Sequence, residues 1–152
     1  MLTLKRILHP TDFSGNSDEA LKYACFLATQ FDAELHLIHV AQNLATDTPI
    51  MAGLPTDHFQ QQIKNAGQEL TLFPEKVLSH SGPVVRSVCE GVPFVEIIRY
   101  AKEKEIDMIV MGTHGYSGLK HLIMGSVAEN VVRKASCPVL TIHPEDFEFE
   151  MP

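Results

Sequence analysis

With 152 residues, 45% hydrophobic and 20% charged, the chain has the length and make-up of one globular domain able to bury a core of its own. A formal net charge of −7 argues against a general DNA- or RNA-binding surface, which carries a basic excess. It leaves room for a small phosphate site made from backbone N–H groups.

No apolar run approaches the ~20 residues needed to cross a bilayer, and MLTLKRILHPTDF lacks the long apolar core of a secretory signal. The expectation is a cytoplasmic protein without membrane insertion. The cysteines, Cys25, Cys89 and Cys137, form neither a CxxC pair nor a zinc-spaced cluster, so they are expected as buried or partly buried thiols in a reducing compartment.

Residues 4–8 read as a first strand, stopped by His9-Pro10-Thr11-Asp12 because proline removes a ladder donor. A turn with Gly15 follows. Asn16 and Glu19 have the spacing of a capping box, and Ala20, Leu21, Ala24, Leu27, Ala28 and Phe31 mark one helical face. Residues 34–40 (ELHLIHV) form a second strand, in which His36 and His39 are expected as packed or hydrogen-bonded residues rather than ligands. Residues 41–57 lack periodicity and read as a surface loop, a candidate lid or contact segment.

Phe59, Ile63, Ala66 and Leu70 define a second helix, ended by Pro74. Residues 84–88 form a third strand. Pro93 suits the first turn of a helix whose stripe is Phe94, Ile97, Ile98 and Ala101. Residues 107–111 make the fourth strand, a further helix follows from Ser126, and Cys137-Pro138 leads into a fifth strand, Val139–Ile142. The expected division is a domain over residues 1–143 and an acidic tail over 144–152, in which Phe147 and Phe149 are candidate docking side chains.

Alternating strands and helices imply an α/β fold: a single open five-stranded parallel sheet, Rossmann-like, with helices on both faces. Ligands in such sheets sit beyond the carboxyl ends of the strands, where strand order reverses. A 3-2-1-4-5 order would turn two unusual loops into one crevice, Pro10-Thr11-Asp12 after strand 1 and the loop carrying Gly112, Gly115 and Gly118 after strand 4. Gly125 and Ser126 at a helix start would offer N–H groups to an anion. Each glycine could equally serve a plain turn, and Ser126 could simply be an N-cap. Asp12 could accept from ribose hydroxyls or cap the turn that follows it. Val40 could present its backbone to an adenine edge.

Gly112-x2-Gly115-x9-Gly125-Ser126 resembles the G-x2-G-x9-G-S/T nucleotide motif of the universal stress protein family. The surrounding MGTHGYSGLKHLIMGSVAENVVRKASCPVLTI and the initial RILHPTDFSGNSDEAL are similar to that family too, so the resemblance spans roughly residues 3–143. It implies the five-stranded fold, a homodimer paired through the last strand and open to higher assembly, and membership of the ATP-binding branch. It places Pro10, Thr11 and Asp12 on the adenosine side, with Asp12 toward the ribose. Val40 and Met111 would meet the adenine and Gly112 the ribose, with Gly115, Gly125, Ser126 and Val127 at the phosphates. The chain departs from the family in residues 41–82, where the family itself varies.

Catalytic machinery is sparse. There is no GxxxxGK[ST] loop. Lys120 and His121 lie among the glycines but read best as exposed polar positions, and His9 and His114 flank the expected site without an evident general-base partner. The expected ligand is ATP, ADP or AMP, with any Mg²⁺ carried on the phosphates. The leading expectation is a regulatory ATP-binding protein. A nucleotide-free dimeric interaction protein and a slow ATP hydrolase are the alternatives.

Overall fold

The computed structural model describes residues 3–42, 56–77, 80–115 and 124–145. In chain order its elements are β1 (Arg6–Pro10), α1 (Gly15–Phe31), β2 (Glu34–Ala41), α2 (Thr56–Leu70), β3 (Val84–Glu90), α3 (Pro93–Glu103), β4 (Met108–Gly112), α4 (Ser126–Lys134) and β5 (Val139–Ile142). Every strand pairing is parallel and the sheet order is β3-β2-β1-β4-β5, the expected 3-2-1-4-5. Most of the 41–57 loop, together with Gly118, Lys120, His121, Phe147 and Phe149, lies outside the described residues.

The two faces of the sheet are separated by strand periodicity. Ile7, Leu35, Leu37 and Val110 point one way, into a core closed by Leu21, Ala24, Cys25 and Ala28 of α1 and by Leu70 and Phe73. Leu8, Ile38, Ile109 and Met111 point the other way, against Ile97, Tyr100 and Ala101 of α3 and Ala128 and Val131 of α4. Alanines along α1 let it lie close on β1 and β4, because small side chains keep helix and sheet backbones near one another. Cys25 is buried in the first core, and desolvation pushes its thiol up to about 11. All three cysteines are free thiols, as expected.

Three local expectations are corrected. The first strand begins and ends two residues later than residues 4–8, and Pro10 is its last residue rather than its breaker. At the start, the Asp107 carboxylate accepts from the Lys5 and Arg6 N–H groups at 2.7 and 2.9 Å. At the end, β1 keeps following β2, with the Thr11 N–H donating to the Ile38 carbonyl at 2.8 Å. Only the β4 side loses a donor at Pro10. The pairing Leu8↔Ile109 would send the next bond from residue 10 to the Val110 carbonyl. His9 Nδ1 stands 2.9 Å from that carbonyl and takes the place of the missing N–H.

Helix α1 is capped by Ser14, not by Asn16 and Glu19. Ser14 Oγ accepts from the Ser17 N–H at 3.2 Å while its backbone stays extended, and Glu19 pairs with Lys22 instead. Helix α2 stops at Leu70, before Pro74 is reached, and turns occupy residues 71–77. There Phe73 is drawn into the core and its carbonyl accepts from Arg86 Nε and Nη2 at 2.9 and 2.6 Å. The remaining boundaries shift by a residue or two, as fraying ends do. Pro93 opens α3 as expected, with Val92 as its N-cap.

His36 and His39 are both hydrogen-bonded. His36 is buried, with Nδ1 2.9 Å from the Tyr100 hydroxyl and Nε2 2.8 Å from Glu34 Oε1. Desolvation lowers its pKa against the pull of Glu34, and it pushes fully buried His9 down to about 4.

Phe73→Ala should cost about 3–5 kcal/mol, because the first core cannot close over the vacated ring volume; urea unfolding monitored by circular dichroism measures it. Acid should also destabilise the fold. An unfolded histidine binds a proton near pH 6.5 whereas folded His9 does so only near 4, so its contribution is complete above about pH 6.5 and is lost as the pH falls toward 4. The difference amounts to roughly 3 kcal/mol. The urea midpoint should fall between pH 7.5 and pH 5, and should fall less in His9→Asn, whose side chain does not titrate.

Candidate functional site

Beyond Pro10 the chain turns sharply. Asp12 Oδ1 accepts from the Ser14 N–H at 3.0 Å and from its hydroxyl at 2.5 Å. Thr11 Oγ1 accepts from the Phe13 N–H at 3.0 Å. Phe13 sits in the left-handed region at φ 63°, a conformation that costs a side-chain-bearing residue about 1 kcal/mol or more. Packing offsets that cost: its ring stacks on His39 at 4.7 Å and tilts against Phe73 at 5.6 Å. His39 in turn has Nδ1 2.9 Å from the Thr11 carbonyl. The turn role foreseen for Asp12 is therefore real and uses one carboxylate oxygen.

The other oxygen faces the second loop. A Cβ placed on Gly115 would lie 2.5 Å from Asp12 Oδ2, so the loops after β1 and β4 meet where only glycine fits. A Cβ on Gly125 would lie 3.1 Å from the Thr113 carbonyl. Neither glycine has a positive φ, so close approach, not a left-handed turn, is what demands glycine here. Thr113, fully buried, joins this loop to the end of β5: its N–H donates to the Ile142 carbonyl at 2.9 Å, and its hydroxyl lies 2.9 Å from His114 Nδ1 and 3.3 Å from His143 Nδ1.

The N-cap of α4 is Gly125, and Ser126 is its first helical residue, so Ser126 is not the cap. The Gly125 N–H donates to the Thr113 carbonyl at 2.6 Å and is no longer open to an anion. The first helical N–H groups, those of Ser126, Val127 and Ala128, have no acceptor within the helix by its geometry. They stand at the positive end of the helix dipole.

All ten expected residues lie in the wall of one cavity of about 400 Å³: Pro10, Thr11, Asp12, Val40, Met111, Gly112, Gly115, Gly125, Ser126 and Val127. That volume is in the range of small-molecule sites. Ser17, His39, Gln42, Pro93, Ile97, Thr113, His114 and Ala128 complete the wall. Sequence reading missed most of these. His39 had a signal, since it directly precedes Val40 on β2; Ser17, Pro93 and Ile97 come from helices whose approach only the fold sets.

Among the described lining residues none is lysine or arginine, and Asp12 is the only carboxylate. The cavity thus has an acidic end at Asp12, a positive end at α4 and apolar walls from Val40, Ile97 and Met111. Among the described residues, no group of three or more histidine, cysteine or acidic side chains is placed to hold a metal ion. No described helix is long and apolar enough to cross a membrane.

The universal stress protein family model matches residues 3–143. Universal stress protein MJ0531 of Methanocaldococcus jannaschii is 39% identical over 143 residues, covering 91% of this chain and 81% of the relative. Among solved structures, universal stress protein UspA from Lactobacillus plantarum superposes with a TM-score of 0.82 at 26% identity, over 93% of this chain and 99% of that one. The structure of MJ0577 does so with a TM-score of 0.78 at 30% identity, over 95% and 99%. The fold, the sheet order and the match over nearly the whole chain agree: this protein belongs to the universal stress protein family.

Proposed function

We propose that this protein is an ATP-binding regulatory member of its family, acting in the cytoplasm, with ADP and AMP as competing occupants of the same cavity. The observation that carries the reading is the two-ended cavity. Residues carrying three helix-start N–H groups and one carboxylate line the same cavity, between loops whose close approach Gly115 and Gly125 allow. A nucleotide has the matching polarity. Its phosphates suit the α4 N-terminus, its ribose hydroxyls suit Asp12, and its base suits the apolar wall near Val40 and Met111. Any Mg²⁺ would be held by the phosphates. Other proteins of this fold support the choice of ligand class, one described in complex with cAMP and one from Archaeoglobus fulgidus in complex with dAMP.

The site is built for holding more than for reacting. It has abundant donors, and the described wall has no cation to stabilise charge on a transferring phosphoryl group. Regulation then requires that nucleotide favour one of two states with different affinities. The route available is Thr113, which joins the glycine loop to the end of β5. That strand is an edge of the sheet, with Leu140 exposed on it. Pairing of β5 with a second copy would cover it.

Calorimetry on nucleotide-stripped protein should detect ATP binding, and failure of ATP, ADP and AMP alike would leave a nucleotide-free interaction protein. Gly115→Val should weaken ATP by more than ~10-fold, since the new side chain collides with Asp12. Asp12→Ala should weaken it by roughly 10-fold, the loss of one or two hydrogen bonds to a charged acceptor. ATP turnover should stay below ~1 s⁻¹, the low edge of common enzyme rates; faster steady-state release of phosphate would make the protein a hydrolase.

Light scattering at micromolar concentration should give a dimer that Leu140→Arg converts to monomer. A monomeric unaltered protein would remove the β5 interface.

A further inference from the structure

His9 is fully buried on β1, beside Pro10 and in contact with Ser17, both of which line the cavity. Its Nδ1 stands 2.9 Å from the Val110 carbonyl on β4, and its Nε2 stands 3.3 Å from Ser17 Oγ on α1. Ser17 Oγ is 3.0 Å from Thr11 Oγ1, which accepts from the Phe13 N–H. A carbonyl can only accept, so Nδ1 must carry the proton, and in the neutral ring Nε2 is a bare acceptor facing the Ser17 hydroxyl. The single Ser17 proton serves either Thr11 Oγ1 or Nε2, and when it turns to Nε2 the Thr11 hydroxyl donates to Ser17 Oγ in its place. We propose that His9 is a positioning residue: its neutral, Nδ1-protonated ring bridges β4 to α1 across the gap left by Pro10 and holds the turn carrying Thr11 and Asp12 in place.

The Ser17–His9 pair has the composition of a nucleophile and its base, but it is not arranged to work as one. Burial makes the ring a weak proton acceptor at neutral pH, and the neighbouring Asp12 charge opposes this without overcoming it. The Ser17 hydroxyl is also engaged with Thr11. The ring orients; it does not exchange protons. Its effect on a ligand rests on the nucleotide reading above, whereas its hold on the turn does not.

Two measurements on the full chain test this. Nitrogen-15 spectra of the histidine rings should show His9 protonated at Nδ1, with Nε2 unprotonated from pH 8 to pH 5; an Nε2-protonated ring, or titration near 6.5, would overturn the assignment. Hydrogen exchange without nucleotide should then show the Thr11, Phe13, Ser14 and Ser17 amides speeding up by at least ~10-fold in His9→Leu relative to amides of β2 and β3. His9→Asn keeps a donor near the Nδ1 position and should recover part of that protection. Equal acceleration everywhere, or none in the turn, would make His9 an ordinary core residue. If His9→Leu does not fold, the tautomer and His9→Asn decide. ATP affinity should fall at least ~10-fold in a folded His9→Leu; an unaltered protein that binds no nucleotide removes the nucleotide reading and leaves the exchange result to decide on His9.

Discussion

The site depends on the close approach of two loops that are far apart in the chain, the one after Pro10 and the one after Gly112. The parallel pairing of β1 with β4 brings the turn after Pro10 against the loop after Gly112, so near that a Cβ on Gly115 would lie 2.5 Å from the Asp12 carboxylate. Everything else at the site is adjusted to this contact. Phe13 accepts a left-handed backbone so that the chain can turn away beneath it, and Thr113 spends its carbonyl on the Gly125 N–H to aim α4 inward. The glycines are there because backbone and carboxylate need the space.

This closeness also explains the electrostatic character of the cavity. One end is a carboxylate whose Oδ1 is engaged by Ser14. The other end is a helix start whose first N–H groups have no partner in the helix. Polarity at both ends with apolar side walls favours a ligand that is itself anionic at one end and hydroxylated in the middle.

His9 shows how a local defect becomes a structural device. Proline at position 10 removes one ladder donor at the point where two strands must stay together. An imidazole one residue earlier replaces that donor and reaches on to α1 with its second nitrogen. The cost is a buried ionisable group, which ties stability to pH. In return, strand, turn and helix are joined by one rigid ring.

Much of this protein could be read from its sequence alone. The alternation of strands and helices follows from hydrophobic periodicity, because that signal is local and repeats along the chain. Two unusual loops favour the 3-2-1-4-5 order, and the full set of ten cavity residues comes from the resemblance to the family motif. Boundaries and hydrogen-bond assignments were less legible. Pro10 looked like a strand breaker because its missing N–H is visible in sequence, but the side of the sheet it faces is not. Asn16 and Glu19 had the spacing of a cap, yet Ser14 won because the Asp12 carboxylate fixes its hydroxyl. Gly125 looked like an anion donor until the fold placed the Thr113 carbonyl against its N–H. The Ser14 cap was set locally, by a carboxylate two residues away, whereas Pro10 and Gly125 were decided only by the tertiary structure, since each depends on which distant group meets the donor or acceptor.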